Sequence, residues 1–90
     1  MSVETYRKIP VEVRAVQYTP YTLSGCVQFL EDNEIRYAVY CMGLDRKTEL
    51  EIFTLEGKET VKMDDYIVCE VGGKCYICKP DIFEKTYEKV

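Results

Sequence analysis

Histidine and tryptophan are both missing from the 90 residues of this chain. Without histidine the chain cannot form Ser-His or Cys-His catalytic pairs, and it lacks the imidazole ligands of many zinc sites. There is no nucleophile-elbow motif, and Gly72-Gly73 precedes a strand-like segment, not the helix that a phosphate-binding loop needs. We therefore expect no catalytic residues, no bound metal and no cofactor, and a protein that is not an enzyme.

Long apolar runs and a surplus of positive charge are missing as well. No segment approaches the roughly 18 apolar residues that cross a bilayer, and MSVETYRKIP lacks the apolar stretch of a signal peptide. These features predict a cytoplasmic protein with no membrane partner. The net charge of −4 argues against general nucleic-acid binding, which needs clustered lysine and arginine, but it leaves room for one local basic pocket.

The composition that remains is that of one folded domain, residues 1–90. Hydrophobic residues make up 47% and charged residues 31% of the chain, with only five glycines and three prolines, which is too apolar for a disordered chain. An odd number of cysteines without an export signal indicates reduced, mostly buried thiols. The five are Cys26, Cys41, Cys69, Cys75 and Cys78.

The N-terminal half predicts two strands separated by a helix. Residues Val11–Tyr18 begin with alternating apolar and charged side chains, which indicates a half-buried strand with Arg14 on the side opposite its apolar stripe. Apolar residues three and four apart predict a helix over Leu23–Leu30. Residues Ile35–Met42 are apolar on both faces, so we expect a central strand, followed by the polar loop Gly43–Thr48. The apolar face of the helix consists of Leu23, Cys26, Val27 and Leu30.

The C-terminal half begins with a predicted hairpin around Glu56-Gly57. A two-residue loop there pairs Ile52 with Val61 and sets Glu51 opposite Lys62, and a bulge at Gly57 would shift this register by one residue. The strands of this hairpin are Leu50–Leu55 and Lys58–Met63.

A second hairpin is predicted around Gly72-Gly73. A two-residue loop places Val68 opposite Ile77 and Cys69 opposite Tyr76. Both faces then carry apolar side chains, so we expect both to be partly covered. The strands of this hairpin are Tyr66–Val71 and Lys74–Lys79.

The tail follows Pro80, which has no N–H and cannot continue a central ladder. Residues 80–83 therefore predict a short helical turn, and Thr86–Val90 predicts a last strand beside the first one. The sum is five to six short antiparallel strands with one short helix. Such a chain forms an α+β domain or a small, partly open barrel.

One thiol motif and one acidic motif each have a chemical and a structural interpretation. A redox CxxC works at a helix N-terminus, and structural zinc needs about four ligands. Here Cys75 and Cys78 lie on a predicted strand with their side chains on opposite faces, which favours buried thiols. Asp64-Asp65 is compatible with Mg²⁺ or acid–base chemistry, but carboxylates that bond nearby N–H groups are typical of a corner, which we favour.

Basic residues and tyrosines form the candidate binding site. If the first and last strands are neighbours, Arg14 and Lys79 converge beside a tyrosine, and such a group suits a nucleotide phosphate and base. The alternative is a solvated face with weak surface ion pairs. The full candidate set is Arg14, Arg36, Lys62, Tyr76, Lys79 and Tyr87.

The segment TLEGKETVKMDDYIVCEVGGKCYICKPDIFEKTYEKV, from Thr54 onward, resembles a family of short, largely uncharacterised phage and prophage proteins of Gram-positive bacteria. The family pattern is a TLEG hairpin, a GDYI strand and a CKPDIFEKTYE-type tail, and IPVEVRAVQY is similar to its first strand. The match leaves Leu30–Glu49 uncovered. Asp64-Asp65 stands where the family commonly has Pro-Gly-Asp or Gly-Asp, so the resemblance implies a corner here but does not define its turn type.

The resemblance implies a phage-encoded accessory protein and supplies no catalytic residues. Such proteins often inhibit host defence, so the first expectation is a non-enzymatic binder that sequesters a nucleotide-derived immune signal in a homo-oligomer within the infected cell. The first alternative is direct inhibition of a host defence protein, in the manner of an anti-CRISPR protein. The second alternative is a structural or assembly factor of the phage particle.

Overall fold

Six strands and two helices make up the fold in a computed structural model that describes residues 3–6, 12–42, 47–54, 56–72 and 74–89, without the side chains of residues 41, 42 and 47. In chain order the elements are β1 (Val13–Gln17), α1 (Leu23–Asp32), β2 (Tyr37–Met42), β3 (Lys47–Thr54), β4 (Gly57–Val61), β5 (Tyr66–Glu70), β6 (Cys75–Cys78) and α2 (Pro80–Thr86). Parts of the predicted elements lie outside the described residues, namely Val11, residues 43–46, Leu55, Gly73 and Val90.

The strands form two antiparallel sheets, with the order β1-β5-β6 in sheet A and β2-β3-β4 in sheet B. The α+β prediction is confirmed, and in the described residues the sheets do not close into a barrel. The expectation of a central strand over Ile35–Met42 is wrong, because β3 pairs on both sides and leaves β2 at an edge.

The core lies where α1 and one face of each sheet meet. Cys26 and Leu30 of α1 are fully buried and Leu23 packs beside them, so the predicted helix face is confirmed at these positions. The residues that share this core are Tyr18, Cys26, Leu30, Leu50, Ile52, Val61 and Ile67. Burial of apolar side chains, at about 25 cal/mol per Å², is the main force that holds the two sheets together.

The first hairpin has a different register from the predicted one. Thr54 pairs with Gly57 and Leu50 pairs with Val61, so the loop begins one residue earlier than expected. The Thr54 hydroxyl closes this turn: it accepts the Glu56 N–H at 3.2 Å and donates to the Gly57 carbonyl at 3.1 Å. Each β3 residue therefore pairs with a β4 residue two positions earlier than predicted. Because side chains alternate with a period of two, the predicted inward face is unchanged.

The second hairpin differs from the prediction by one residue. Val68 pairs with Tyr76 and Ile67 pairs with Ile77, because the turn has three residues between Glu70 and Lys74 and Gly72 adopts a φ of +111°. Its two faces are covered as predicted: Ile67 lies in the core, and Val68 on the other face is also fully buried.

The changed register also overturns the thiol prediction for two cysteines. Cys69 lies directly opposite Cys75 with a Cα–Cα distance of 4.1 Å, and the two form a disulfide. Cys26 and Cys78 are free thiols. Cys78 is on the opposite face of β6 from Cys75, which is the arrangement that the strand position predicts.

The C-terminal segment is a helix and not a strand. Residues Pro80–Thr86 form α2, with Pro80 in its first turn, where the missing N–H costs nothing. The ring of Phe83 stacks on Tyr66 at a centroid distance of 3.9 Å and holds α2 against sheet A. The predicted helical turn over residues 80–83 is confirmed. The predicted last strand, Thr86–Val90, is wrong, because Thr86 ends α2 and residues 87–89 belong to neither sheet.

Candidate functional site

The corner at Asp64-Asp65 connects β4 to β5, and its backbone bonds to Tyr18, which directly follows β1. The Asp64 N–H donates to the Tyr18 carbonyl at 2.7 Å, and the Tyr18 N–H donates to the Asp65 carbonyl at 2.8 Å. Asp64 has a φ of +72°, in the left-handed region that favours glycine. This backbone geometry confirms the interpretation of the pair as a corner.

The Asp65 carboxylate is buried beneath this corner. Its Oδ2 accepts the Lys62 N–H at 3.1 Å, and its Oδ1 lies 3.9 Å from the Lys79 ammonium. The Asp65 side chain is only 4% exposed, whereas that of Lys79 is 56% exposed. A buried carboxylate needs hydrogen-bond or ion-pair partners, and here a backbone N–H and a lysine ammonium supply them. The Asp65 carboxylate therefore fixes the positions of two different chain segments.

An open groove begins at this carboxylate and runs between β4 and β6. Its volume is about 380 Å³, and we call it the Asp65 groove. A second depression of about 480 Å³ also has Thr60 and Lys62 in its lining. The residues that line the Asp65 groove are Glu59, Thr60, Lys62, Asp65, Ile77 and Lys79.

Two cations and two carboxylates line the Asp65 groove, and one of the carboxylates, Asp65, is buried and already bonded. Lys62 follows β4 and Lys79 follows β6, and Glu59 and Asp65 line the same groove. Ammonium groups bind phosphate oxygens, and carboxylates accept hydrogen bonds from hydroxyl or amine groups. The groove therefore suits a ligand that carries both anionic oxygens and polar donors.

Two of the predicted site residues meet in this groove and two meet elsewhere. Lys62 and Lys79 share it, although they are 17 positions apart in the chain. The hydroxyls of Tyr76 and Tyr87 bond to each other on the opposite face of β6, beside α2. Burial, followed by the hydrogen bond with Tyr87, raises the pKa of Tyr76 well above its ordinary range. This tyrosine pair anchors α2 and does not line the Asp65 groove.

The two arginines lie apart from both groups. Arg14 pairs with Cys69 and lies on β1, which is one edge of sheet A. Lys79 follows β6, which is the other edge, and it lies at the opposite end of the sheet. Arg14 also shares its face of β1 with Val16, which packs into the core. The prediction that Arg14 lies on the face opposite the core is therefore wrong. The guanidinium of Arg36 lies 5.5 Å from the ring centroid of Phe53 on sheet B.

The free cysteines are not activated for chemistry. Burial raises the pKa of Cys26, and burial together with the nearby carboxylates of Asp81 and Asp65 raises the pKa of Cys78. A raised pKa keeps the thiol protonated and lowers its nucleophilicity at neutral pH. In the part of the chain that the structure describes, no three cysteine, aspartate or glutamate side chains are close enough to ligate one metal ion.

Sequence reasoning missed Glu59, Thr60 and Ile77 as groove residues and missed the central position of Asp65. Ile77 and Asp65 lie on sheet A or its corner, whereas Glu59 and Thr60 lie on β4 of sheet B. No sequence period reports which strands of two different sheets approach each other. The only sequence signal was the second acid at a corner, since one carboxylate is sufficient to cap a turn.

Comparisons of the chain with protein-family profiles, with curated proteins and with solved structures found no match. Neither helix within the described ranges is long and apolar enough to cross a bilayer.

Proposed function

We propose that this protein is a phage-encoded, non-enzymatic binding protein that counters host defence by sequestering a nucleotide-derived signal. The observation that supports this proposal is the meeting of Lys62 and Lys79 at the groove beside the buried Asp65 carboxylate. The resemblance of the C-terminal segment to short phage proteins supports the biological setting, the cytoplasm of the infected cell. The chemistry of the side chains that line the groove is the reason for assigning a nucleotide to it.

A nucleotide matches the mixed charges of the Asp65 groove better than an inorganic anion does. Its phosphate oxygens suit Lys62 and Lys79, and its ribose hydroxyls or base amines suit the carboxylate of Glu59. A simple anion would gain the lysines but would also face both carboxylates. The groove is open, so a homo-oligomer or the ligand itself must exclude water from the remaining side.

A binding assay tests the proposal directly. Purified protein should lower the free concentration of a cyclic dinucleotide or an ADP-ribose derivative and release it intact on heating. Recovery of a cleaved product would identify an enzyme instead. Lys62→Glu should reduce retention at least about tenfold, because it puts a third carboxylate in the groove.

Matched variants separate the groove from the rest of the surface. Lys79→Gln should weaken retention without putting a new carboxylate beside Asp65. Arg14→Glu also removes a positive charge, but Arg14 lies at the far edge of sheet A, so it should retain the ligand. An equal loss of ligand retention in Arg14→Glu would mean that retention depends on the net charge of the protein and not on the groove.

Direct inhibition of a host defence protein is the second candidate. It is favoured by exposed aromatic side chains on sheet B, where Tyr40 is 42% and Phe53 is 37% exposed beside Arg36. Tyrosine, phenylalanine and arginine are enriched at protein interfaces. This candidate predicts that a host protein co-purifies and that nucleotides do not raise the melting temperature.

A further inference from the structure

The β2 edge of sheet B differs from the other sheet edges because its own residues carry none of the usual features that prevent pairing. Its sequence, YAVYCM over Tyr37–Met42, contains no charge and no proline. The β4 edge carries Lys58 and Glu59, β1 carries Arg14, and β6 has four residues and is followed by Pro80. Charges, short length and proline are the usual means by which proteins keep edges from pairing.

The backbone of β2 has groups that face away from β3. The Phe53 N–H donates to the Arg36 carbonyl at 2.9 Å, which marks these residues as a hydrogen-bonded pair. Bonded and non-bonded pairs alternate along an antiparallel ladder. Tyr37 and Val39 therefore direct their N–H and C=O groups outward, and among the described residues β2 pairs with β3 alone.

We propose that β2 pairs antiparallel with β2 of a second copy, about a two-fold axis at Ala38. Sheet B then becomes a continuous six-stranded sheet across the two chains. In this register Tyr37 lies opposite Val39 of the second copy, and the outward backbone groups of both residues are satisfied. A two-fold axis makes each such contact occur twice.

The side chains of both faces are complementary in this register. On the core side, an aromatic ring meets a β-branched side chain, Tyr37 against Val39, which is a favourable cross-strand pair. Val39 is 39% exposed in the single chain, so the contact buries apolar surface that one chain leaves in water.

The outer face supplies the charge complementarity. Arg36 lies opposite Tyr40 of the second copy, and Glu49 is the β3 neighbour of Tyr40. A guanidinium therefore approaches a ring and, one strand further, a carboxylate of the other chain. Moving the axis to Val39 would set Arg36 opposite Met42, whose neighbour is Lys47. Arg36 would then lose both Tyr40 and the Glu49 carboxylate beyond it as neighbours, which selects the axis at Ala38.

The dimer leaves ligand binding unaffected. The Asp65 groove lies beside β4, at the edge of sheet B opposite β2, so each copy keeps an open groove. The proposed pairing goes beyond the proposed function and does not depend on it. A negative result for dimerisation would not contradict ligand binding in the Asp65 groove, and a negative result for ligand binding would not contradict dimerisation.

A charge swap tests the register. By sedimentation velocity over a range of concentrations, the protein should show a monomer–dimer equilibrium, and Arg36→Glu or Glu49→Arg should each raise the dimer dissociation constant at least about tenfold. The double variant R36E/E49R should restore dimerisation. Within one chain these residues are four positions apart along the strands, roughly 13 Å, so restoration reports a contact between copies. A monomer at all concentrations, or a double variant that stays as weak as the singles, overturns the proposal.

Amide hydrogen exchange of the unaltered protein gives a second test that does not depend on variants folding. The amides of Tyr37 and Val39 should be protected at high concentration and exchange quickly on dilution. The amides of Ala38 and Tyr40 face β3 and should stay protected at both concentrations, as internal controls. A dimer in which Tyr37 and Val39 exchange freely, or a host protein strand found on this edge in place of the second copy, overturns the proposal.

Discussion

At the scale of single residues, the two neighbouring aspartates have opposite relations to the fold. Asp64 occupies a left-handed conformation and makes its bonds through its backbone. Asp65 also bonds through its backbone, and in addition its buried carboxylate accepts the Lys62 N–H and faces Lys79. The sequence predicts the corner because Asp side chains bond nearby N–H groups. It does not distinguish the two residues, since that depends on which of them turns inward.

Substitution of the two aspartates should change stability in opposite directions. Asp64→Gly should raise the free energy of unfolding by about 0.5–1 kcal/mol, because glycine adopts a positive φ without a Cβ clash. Asp65→Ala should lower it by about 1–3 kcal/mol, because the Lys62 N–H loses its acceptor. Urea denaturation measures both. A loss of stability in Asp64→Gly would contradict the assigned backbone conformation.

The raised pKa of Tyr76 predicts that the folded protein loses stability in alkali. Tyrosine in an unfolded chain ionises near pH 10, and burial with the Tyr87 bond raises the pKa of Tyr76 above that in the folded protein. The stability that depends on neutral Tyr76 is complete below about pH 10 and is lost as the pH rises through the folded-state pKa.

Denaturation between about pH 9 and pH 11 checks this prediction. Tyr76→Phe should be less stable at neutral pH but should lose less stability over that range. Tyr21→Phe is the control, because Tyr21 is 94% exposed and its removal should leave the slope unchanged. The same slope in Tyr76→Phe and the unaltered protein would refute the assignment.

At the scale of elements, the side-chain pattern predicts which face of an element is buried better than it predicts which residues pair. The α1 face and the alternation in β3 are properties of a single segment, and both are present in the structure. Hairpin registers depend on one or two turn residues. Thr54 moves the first loop, and a three-residue turn at Gly72 moves the second by one position. That single position brings Cys69 opposite Cys75, so the disulfide could not be predicted without it.

The docking of α2 gives a prediction for one element. Phe83 stacks on Tyr66 and contacts Tyr87 at a centroid distance of 5.0 Å, so Phe83→Ala should lower the free energy of unfolding by about 2 kcal/mol. Ile82→Ala on the same helix should change it by less than about 0.5 kcal/mol, because Ile82 is 53% exposed. Chemical denaturation followed by tyrosine fluorescence measures both. Similar effects of the two variants would mean that α2 is not held by the aromatic stack.

At the scale of the whole molecule, the site is defined by contacts between segments far apart in the sequence. Lys62 and Lys79 belonged to the predicted set, but their common neighbour is the Asp65 carboxylate and not Arg14 or a tyrosine. The error came from placing the C-terminal segment as a strand beside β1. Pro80 gave the correct local signal, a break from the sheet. Only the packing of Phe83 on Tyr66 shows where the chain goes next.

The central claim is that the Asp65 groove holds an intact nucleotide-type ligand in the infected cell. Native mass spectrometry of the protein isolated from phage-infected, defence-active cells tests it most directly, with Lys62→Glu isolated in parallel. We predict a bound small molecule of nucleotide mass that survives release by heating, and its absence from Lys62→Glu. A protein isolated without such a ligand, or a ligand retained equally by Lys62→Glu, would contradict the account.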